Sequence, residues 1–326
     1  MGWNINICLT TNLNYIKYTA SFLSSLINHV NPNYTYNVYI LTDKNISEPD
    51  KEKILNYTHE KLSIKCIPFN HDFFKWYEDI TIKWNGTIKW NYSYFYRWFI
   101  DKYTNVDKII YFDTDMVINW DISELYNINL WNKIFWAVKD IFYMDSKLNK
   151  EYWIKYFFNS WLLLIDLKKW KENKMCEKLL KFKTEHAKET LLFDQDTLNV
   201  VWKDDWLCLS PKRNSMVAER FQYNNIQYTK NELKESKNPK VIHYTWFFHR
   251  PRKWIICLHP YCFKYFKFLR KTKYREKNDT LMFFQRCLTS NIVSRFIIKT
   301  LCFFWFQMKK ILWNNTLEFL NRKAFK

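Results

Sequence analysis

Short apolar runs of β-forming residues alternate with polar loops and helical stripes through the first half of the chain. Ile5 to Thr10 reads as a first strand, and the polar loop from Thr10 to Tyr15 leads into a helix with Ile16, Ala20, Leu23 and Ile27 on one stripe. Val38 to Thr42 reads as a second strand and Leu62 to Pro68 as a third. Between them, Ser47 with Asp50 resembles a capping box that opens a helix through Ile54 and Leu55. Residues 70 to 91 show no period and read as loop, and a helix follows from about Tyr92 to Tyr103. Ile109, Ile110, Tyr111 and Phe112 are apolar on both faces, the pattern of a buried strand. Phe135 to Lys139, the run that ends at Asp166, and Val241 to His243 add further strands. This alternation predicts an α/β fold built on a mostly parallel, doubly wound sheet.

The polar residues that stop these runs carry the candidate chemistry. The run at Phe112 stops on Asp113, Thr114 and Asp115. Two carboxylates two residues apart point the same way while the chain is extended, so both can reach one hard cation. The C-terminal end of a buried strand is also where open α/β sheets bind ligands. Taken alone, the triplet reads first as a strand-end turn with solvated acids. Asp121 is placed to cap a short helix through Ser123, Glu124 and Leu125.

The stretch from Tyr111 to Ile118, followed by Asp121 to Tyr126, resembles the metal-binding segment of family 8 glycosyltransferases, retaining enzymes that include lipopolysaccharide galactosyl- and glucosyltransferases. Three more blocks follow in family order. Phe157 to Asp166 with Leu167 to Trp170 is similar to the family's Asn-x-Gly strand, Phe193 to Asn199 to its Asp-Gln-Asp helix start, and Val241 to Thr245 to its histidine strand. The resemblance covers roughly residues 5 to 254 and implies a GT-A type domain. Such a domain moves a hexose, galactose or glucose, from a UDP-sugar to a glycan acceptor with retention, lipopolysaccharide or another surface glycan being the expected acceptor.

The resemblance also implies roles for individual residues. Asp113, Asp115 and His243 would hold a divalent ion, Mn²⁺ ahead of Mg²⁺, with Thr114 inside the motif. Thr10, Asn12 and Tyr15 would meet the nucleotide, although Asn12 stands where the family usually has an acid. Arg97 would reach the donor sugar and diphosphate, and Asn159 would bond the sugar. Asp194 would hold sugar hydroxyls, with Gln195 near the anomeric carbon. The cation that meets the diphosphate is Arg250 or Lys253. Without the resemblance, Asn12 reads as a loop residue, Arg97 as a surface arginine, and Asp194 and Asp196 as acids complementing a helix dipole.

Composition adds three points. The net charge is +19, and residues 255–326 hold 15 Lys and Arg against 3 Asp and Glu, so the excess is concentrated in a basic, aromatic extension beyond a catalytic domain at 1–254. A field of that size favours phosphate-bearing partners. The excess lies in the extension instead of the catalytic segment, which argues against a metal-dependent nucleic-acid enzyme. The apolar part of 292–319 is interrupted by Lys299 and falls short of the roughly 20 residues a spanning helix needs. It reads either as an interfacial helix on anionic lipid or as an amphipathic helix docked on the catalytic domain. Scattered cysteines and the lack of a charged lead before Ile5 to Leu9 read as a cytoplasmic protein, peripheral on the membrane if the extension binds lipid.

The third point is a deficit. The chain has 17 Trp and 2 Gly, where average usage near 7% would supply roughly 23 Gly. Trp120, Trp161 and Trp246 stand where related enzymes usually have glycine, and Trp136 is a further candidate. Two explanations follow: a degenerate homologue that binds UDP-sugar without turnover, or UGA codons that the source organism reads as glycine. The second expects Trp161 and Trp246 to crowd the sugar side of the metal site or to sit in strained backbone.

Overall fold

A computed structural model of the chain describes residues 3–57, 59–74, 92–140, 150–186, 194–203, 205–215, 228–245, 250–251, 257, 259, 261–275 and 300. Seven strands form one sheet: β1 (Trp3–Thr11), β2 (Tyr34–Thr42), β3 (Leu62–Pro68), β4 (Lys108–Asp113), β6 (Phe135–Lys139), β7 (Phe158–Asp166) and β8 (Leu207–Cys208). Their order is β3-β2-β1-β4-β7-β6-β8, and β5 (Met116–Ile118) pairs separately with β9 (Val241–His243). The β3-β2-β1-β4 half is parallel throughout, and β7 runs antiparallel to both β4 and β6. The sheet is therefore the mostly parallel α/β sheet that the alternation predicts.

Strand alternation divides the core. Ile110 and Phe112 join Ile5, Ile7, Leu9, Leu162 and Leu164 on one face, while Ile109 and Tyr111 join Cys8, Leu163 and Ile165 on the other. Period-two side chains on a strand covered on both sides require this split. The Ile16–Ile27 helix covers the first face through Phe22, Leu23 and Leu26. Aromatic residues from Phe95 to Phe99 and the Leu167–Glu172 and Met175–Glu185 helices cover the second.

Local signals place most element ends. Ser47 Oγ accepts from the Asp50 N–H at the start of the Glu48–Leu55 helix, and Asp166 accepts from the Lys169 N–H at the start of Leu167–Glu172. Asp121 Oδ1 accepts from the Ser123 N–H at 2.8 Å, although the N-cap position of Ser123–Tyr126 falls on Ile122 and not on Asp121. Two expectations are corrected. The helix expected from Tyr92 to Tyr103 is two 3₁₀ turns, Tyr92–Tyr94 and Tyr96–Phe99, with one α-turn at Ile100–Tyr103. Its rings pack individually, Phe95 against Trp98 and Phe99 against Phe73, and tertiary contact outweighs local period there.

The Ile16–Ile27 helix is likewise buried well beyond one stripe, because the Cys262–Leu269 helix lies on its other side. Ser21 Oγ donates to the Tyr265 carbonyl at 3.2 Å, and Phe268 packs with Tyr18, Val117 and Tyr244. The described residues between 257 and 275 include this helix, which packs on the body. The extension expected from about 280, Thr300 excepted, residues 75–91, Trp246, Lys253 and Trp254 lie outside the described residues.

Strand order reverses beside β1, which has β2 on one side and β4 on the other. Open α/β sheets leave a crevice at that point, at the carboxyl ends of the strands. Thr10 and Asp113 are paired in register at that end.

Candidate metal and sugar-donor site

Strand β4 delivers Asp113 as its last residue, and the chain then turns through Thr114 and Asp115 into β5. Pairing of β5 with β9 sets His243 opposite Met116, and the Tyr244 N–H donates to the Asp115 carbonyl at 3.0 Å. One ligand atom from each of Asp113, Asp115 and His243 therefore lies within 4.8 Å of the others. A turn, where an extended chain was expected, brings the acids together. Thr114 and Asp115 are buried in it, while Asp113 stays partly open.

Asp115 Oδ1 is 3.3 Å from His243 Nε2, and Asp115 Oδ2 is 2.6 Å from Arg250 Nη2. Burial, the largest influence, would raise the Asp115 carboxyl, but Arg250 and His243 together outweigh it and hold the group down at about 2. Asp113 moves the other way: burial raises its carboxyl against the pull of Arg97.

A run of hydrogen bonds decides which nitrogen of His243 faces this site. The Trp161 backbone N–H, necessarily a donor, is 3.1 Å from Asn159 Oδ1. The Asn159 amide nitrogen is thereby the group facing Asp140 Oδ2 at 3.0 Å. Asn159 Oδ1 also accepts from Asn214 Nδ2 at 2.8 Å, which turns Asn214 Oδ1 toward His243 Nδ1 at 3.0 Å. An acceptor there places the ring proton on Nδ1. In the neutral ring Nε2 is then a lone pair aimed at Asp115 Oδ1, an oxygen that receives no hydrogen bond among the described residues. Two acceptors so placed repel, and either a proton on Nε2 or a metal cation between them relieves the repulsion. Neighbouring ligands of a six-coordinate ion with bonds of about 2.1–2.4 Å sit about 3.0–3.4 Å apart. The residues fit a divalent cation.

Arg97 is 2% exposed, and its guanidinium reaches in four directions. Nη2 donates to Asp113 Oδ1 at 3.0 Å, Nη1 to the Ser160 carbonyl at 2.7 Å and Nε to the Tyr94 carbonyl at 3.2 Å, with Asp194 Oδ2 at 3.3 Å from Nε. The group also lies 4.5 Å from the centroid of the Tyr111 ring. Asp194 opens the Asp194–Val201 helix, and its Oδ2 accepts from Ser160 Oγ at 3.0 Å. Burial pushes its carboxyl up to about 6 although Arg97 opposes the rise.

Asn159 and Gln195, both expected beside the sugar, are buried with their amides engaged inside the protein. Gln195 Nε2 donates to Asp140 Oδ2, and Gln195 Oε1 accepts from the Ser160 N–H, each at 3.0 Å. At the other end of the site, Asn12 Oδ1 accepts from the Asn14 N–H and Asn12 Nδ2 donates to Ser93 Oγ at 3.1 Å. Thr10 Oγ1 pairs with the Tyr111 hydroxyl at 3.0 Å. Arg250 Nη1 donates to the Tyr15 hydroxyl at 2.6 Å, so one guanidinium joins Tyr15 to Asp115. The Trp161 ring meets His243 edge-on at 5.0 Å between centroids.

Residues 6–247 match the model of glycosyl transferase family 8. The chain belongs to this family. The glycosyltransferase GlyF of Streptococcus pneumoniae serotype 4 is 29% identical over 154 residues, 47% of this chain and 36% of GlyF, so the chain spans little more than a third of that relative. General stress protein A of Bacillus subtilis is 27% identical over 281 residues, 80% of this chain and 91% of that protein. Lipopolysaccharide 1,2-glucosyltransferase of Escherichia coli is 25% identical, over 77% of this chain and 74% of that enzyme. Among solved structures, the galactosyltransferase LgtC in complex with donor and acceptor sugar analogues superposes with a TM-score of 0.71 at 18% identity, covering 84% of this chain and 98% of that one. That likeness is one of fold, the GT-A type expected from the sequence.

Within this family 8 site the structure adds Tyr111, Asp140, Ser160 and Asn214, which sequence reasoning did not single out. Asp140 had a signal, since it directly follows strand β6 much as Asp113 ends β4. Asn214 had none. It follows a 3₁₀ turn, Pro211–Arg213, and its meaning comes from neighbours far away in sequence.

Proposed function

We propose that this family 8 chain transfers galactose or glucose from a UDP-sugar to a hydroxyl of a glycan acceptor with retention at the anomeric carbon. The observation that carries the reading is the meeting of Asp113, Asp115 and His243 beside the buried Arg97–Asp194 pair. A divalent cation bound to the three would neutralise the departing diphosphate, and a mixed carboxylate and imidazole set suits Mn²⁺ better than Mg²⁺.

The chain's own residues orient the rest. Arg97, desolvated and held by its partners, presents fixed positive charge where negative charge grows on the leaving group. Asp194, held by Ser160, is placed to receive sugar hydroxyls, with Gln195 anchored behind it. Tyr15 offers an aromatic face to the base, and Arg250 or Lys253 meets the diphosphate. The names of the Escherichia coli glucosyltransferase and of LgtC support a hexose donor, and the former supports a lipopolysaccharide-like acceptor. No helix of the described residues is long and apolar enough to cross a membrane. A cytoplasmic enzyme held at the inner membrane face by its basic extension would meet a lipid-linked acceptor there.

One observation favours a second reading, donor binding without turnover: the Trp161 ring stands against His243. Nucleic acid is disfavoured, since Arg97 and Arg250 in the cleft are both paired with acids. UDP release with Mn²⁺ across UDP-galactose and UDP-glucose separates the readings. Metal-dependent release supports transfer, tight donor binding without release supports the second reading, and neither binding nor release sinks both.

A further inference from the structure

We propose that Asp140, Asn159 and Asn214 are positioning residues that set the tautomer of His243 and so prepare its Nε2 for a cation. The inference deepens the metal reading above and rests on it. All three side chains are fully buried, and they come from the end of β6, from β7 and from the turn after Pro211–Arg213. Their donors and acceptors run in one direction because the Trp161 backbone N–H at the head of the run cannot reverse. Asp140 Oδ2 is shared with Gln195, which ties the histidine to the helix that presents Asp194.

¹⁵N NMR of histidine-labelled, metal-free protein reads the ring proton directly, and Mn²⁺ titration of the same samples reads its consequence. The wild type is expected to carry the proton on Nδ1. Asn214→Leu should shift it toward Nε2 and weaken Mn²⁺ binding about 10- to 100-fold, while Asn214→Asp, which keeps an acceptor toward Nδ1 but loses the donor to Asn159, should keep the proton on Nδ1. An unchanged tautomer in Asn214→Leu, or loss of the Nδ1 proton in Asn214→Asp, overturns the relay. A wild type with the Nδ1 proton that binds no Mn²⁺ overturns the metal reading instead.

An independent observation carries a second inference, about the side chains themselves. Among the described residues, positive φ occurs at Trp131 (52°), Trp153 (56°) and Lys174 (49°), and both glycines of the chain lie outside those residues. For a bulky residue this backbone is a genuine outlier, whereas glycine enters it without steric cost. Trp131 and Trp153 are also 70% and 83% exposed, although tryptophan is highly buried on average. We infer that the source organism reads UGA as glycine and that its protein carries glycine at 131, 153 and 161.

Trp98 and Trp170 are different, because each is 1% exposed and fills the core. Their codons should be UGG. Trp120 and Trp136 are half-buried with bonded indole N–H groups, so geometry does not assign them to the recoded set. At 161, glycine would uncover the flank of His243 that the indole now covers. Codon identity together with peptide mass spectrometry of protein from the native source tests the inference. UGA at 131, 153 and 161 with glycine in the peptides supports it. Tryptophan in the peptides at 131, 153 or 161 overturns the assignment at that position, and tryptophan at both 131 and 153 overturns the recoding itself.

Discussion

Arg97 Nη2 donates to Asp113 Oδ1 at 3.0 Å, and the same oxygen accepts from the Tyr111 hydroxyl at 2.6 Å. Both bonds fall on one carboxylate oxygen, and Oδ2 receives none among the described residues. Arg97 thus orients an acid of the proposed metal site while also touching Asp194 at the start of a separate helix. Lysine cannot reproduce that fork. Arg97→Lys is expected to lower kcat about 100-fold or more with a smaller change in KM, measured by steady-state UDP release. Wild-type kcat in this variant would remove Arg97 from the transition state.

Asp115 is held at low pKa by Arg250 and faces His243. Asp115→Ala should abolish Mn²⁺-dependent UDP binding in calorimetry. It should also leave the half-buried Arg250 guanidinium without its acid, at a stability cost of about 1–2 kcal/mol, below that of a fully buried pair. Retained, metal-dependent affinity would show that the cation sits elsewhere.

Asp194 gives a pH dependence of definite sign. Its carboxyl is raised by burial from 3.8 to about 6 in the folded protein. Between those values the native state holds a proton that the unfolded chain has lost, so this group's contribution to stability falls as pH rises through that window. The loss is on the order of 3 kcal/mol. Asp194→Asn should flatten the corresponding part of a plot of Tm against pH for the metal-free protein, and parallel plots would show that burial does not act on Asp194 in this way.

Trp131→Gly and Trp153→Gly, made in the tryptophan-containing chain, should each stabilise it by about 1 kcal/mol, because a left-handed backbone costs a side chain that glycine lacks. Urea unfolding reads this directly. Destabilisation by either change would mean that the exposed indole makes contacts outweighing the backbone term.

Phe268 tests whether the segment beyond 254 belongs to the catalytic body. It is 1% exposed against Tyr18, Val117 and Tyr244. Phe268→Ala is expected to cost about 3–5 kcal/mol in equilibrium unfolding. A cost below about 1 kcal/mol, the level of a surface change, would show the helix to be loosely docked.

What the sequence determined by itself was whatever depends on near neighbours. The strands at Leu62–Pro68 and Phe135–Lys139, the caps at Ser47 and Asp166, and the strand-end acids Asp113 and Asp115 were all legible, since period and capping act over a few residues. Tertiary structure decided what depends on register between distant segments. His243 meets Asp115 through the pairing of β5 with β9, and Asn214 meets Asn159 across 55 positions. Arg97 acquired its partners because aromatic packing folded an expected helix into 3₁₀ turns. Trp131 and Trp153 looked like any other tryptophans until the backbone showed the sign of φ. A hydrogen-bond partner or a dihedral angle is a property of the assembled chain, where burial enforces pairing that no local pattern encodes.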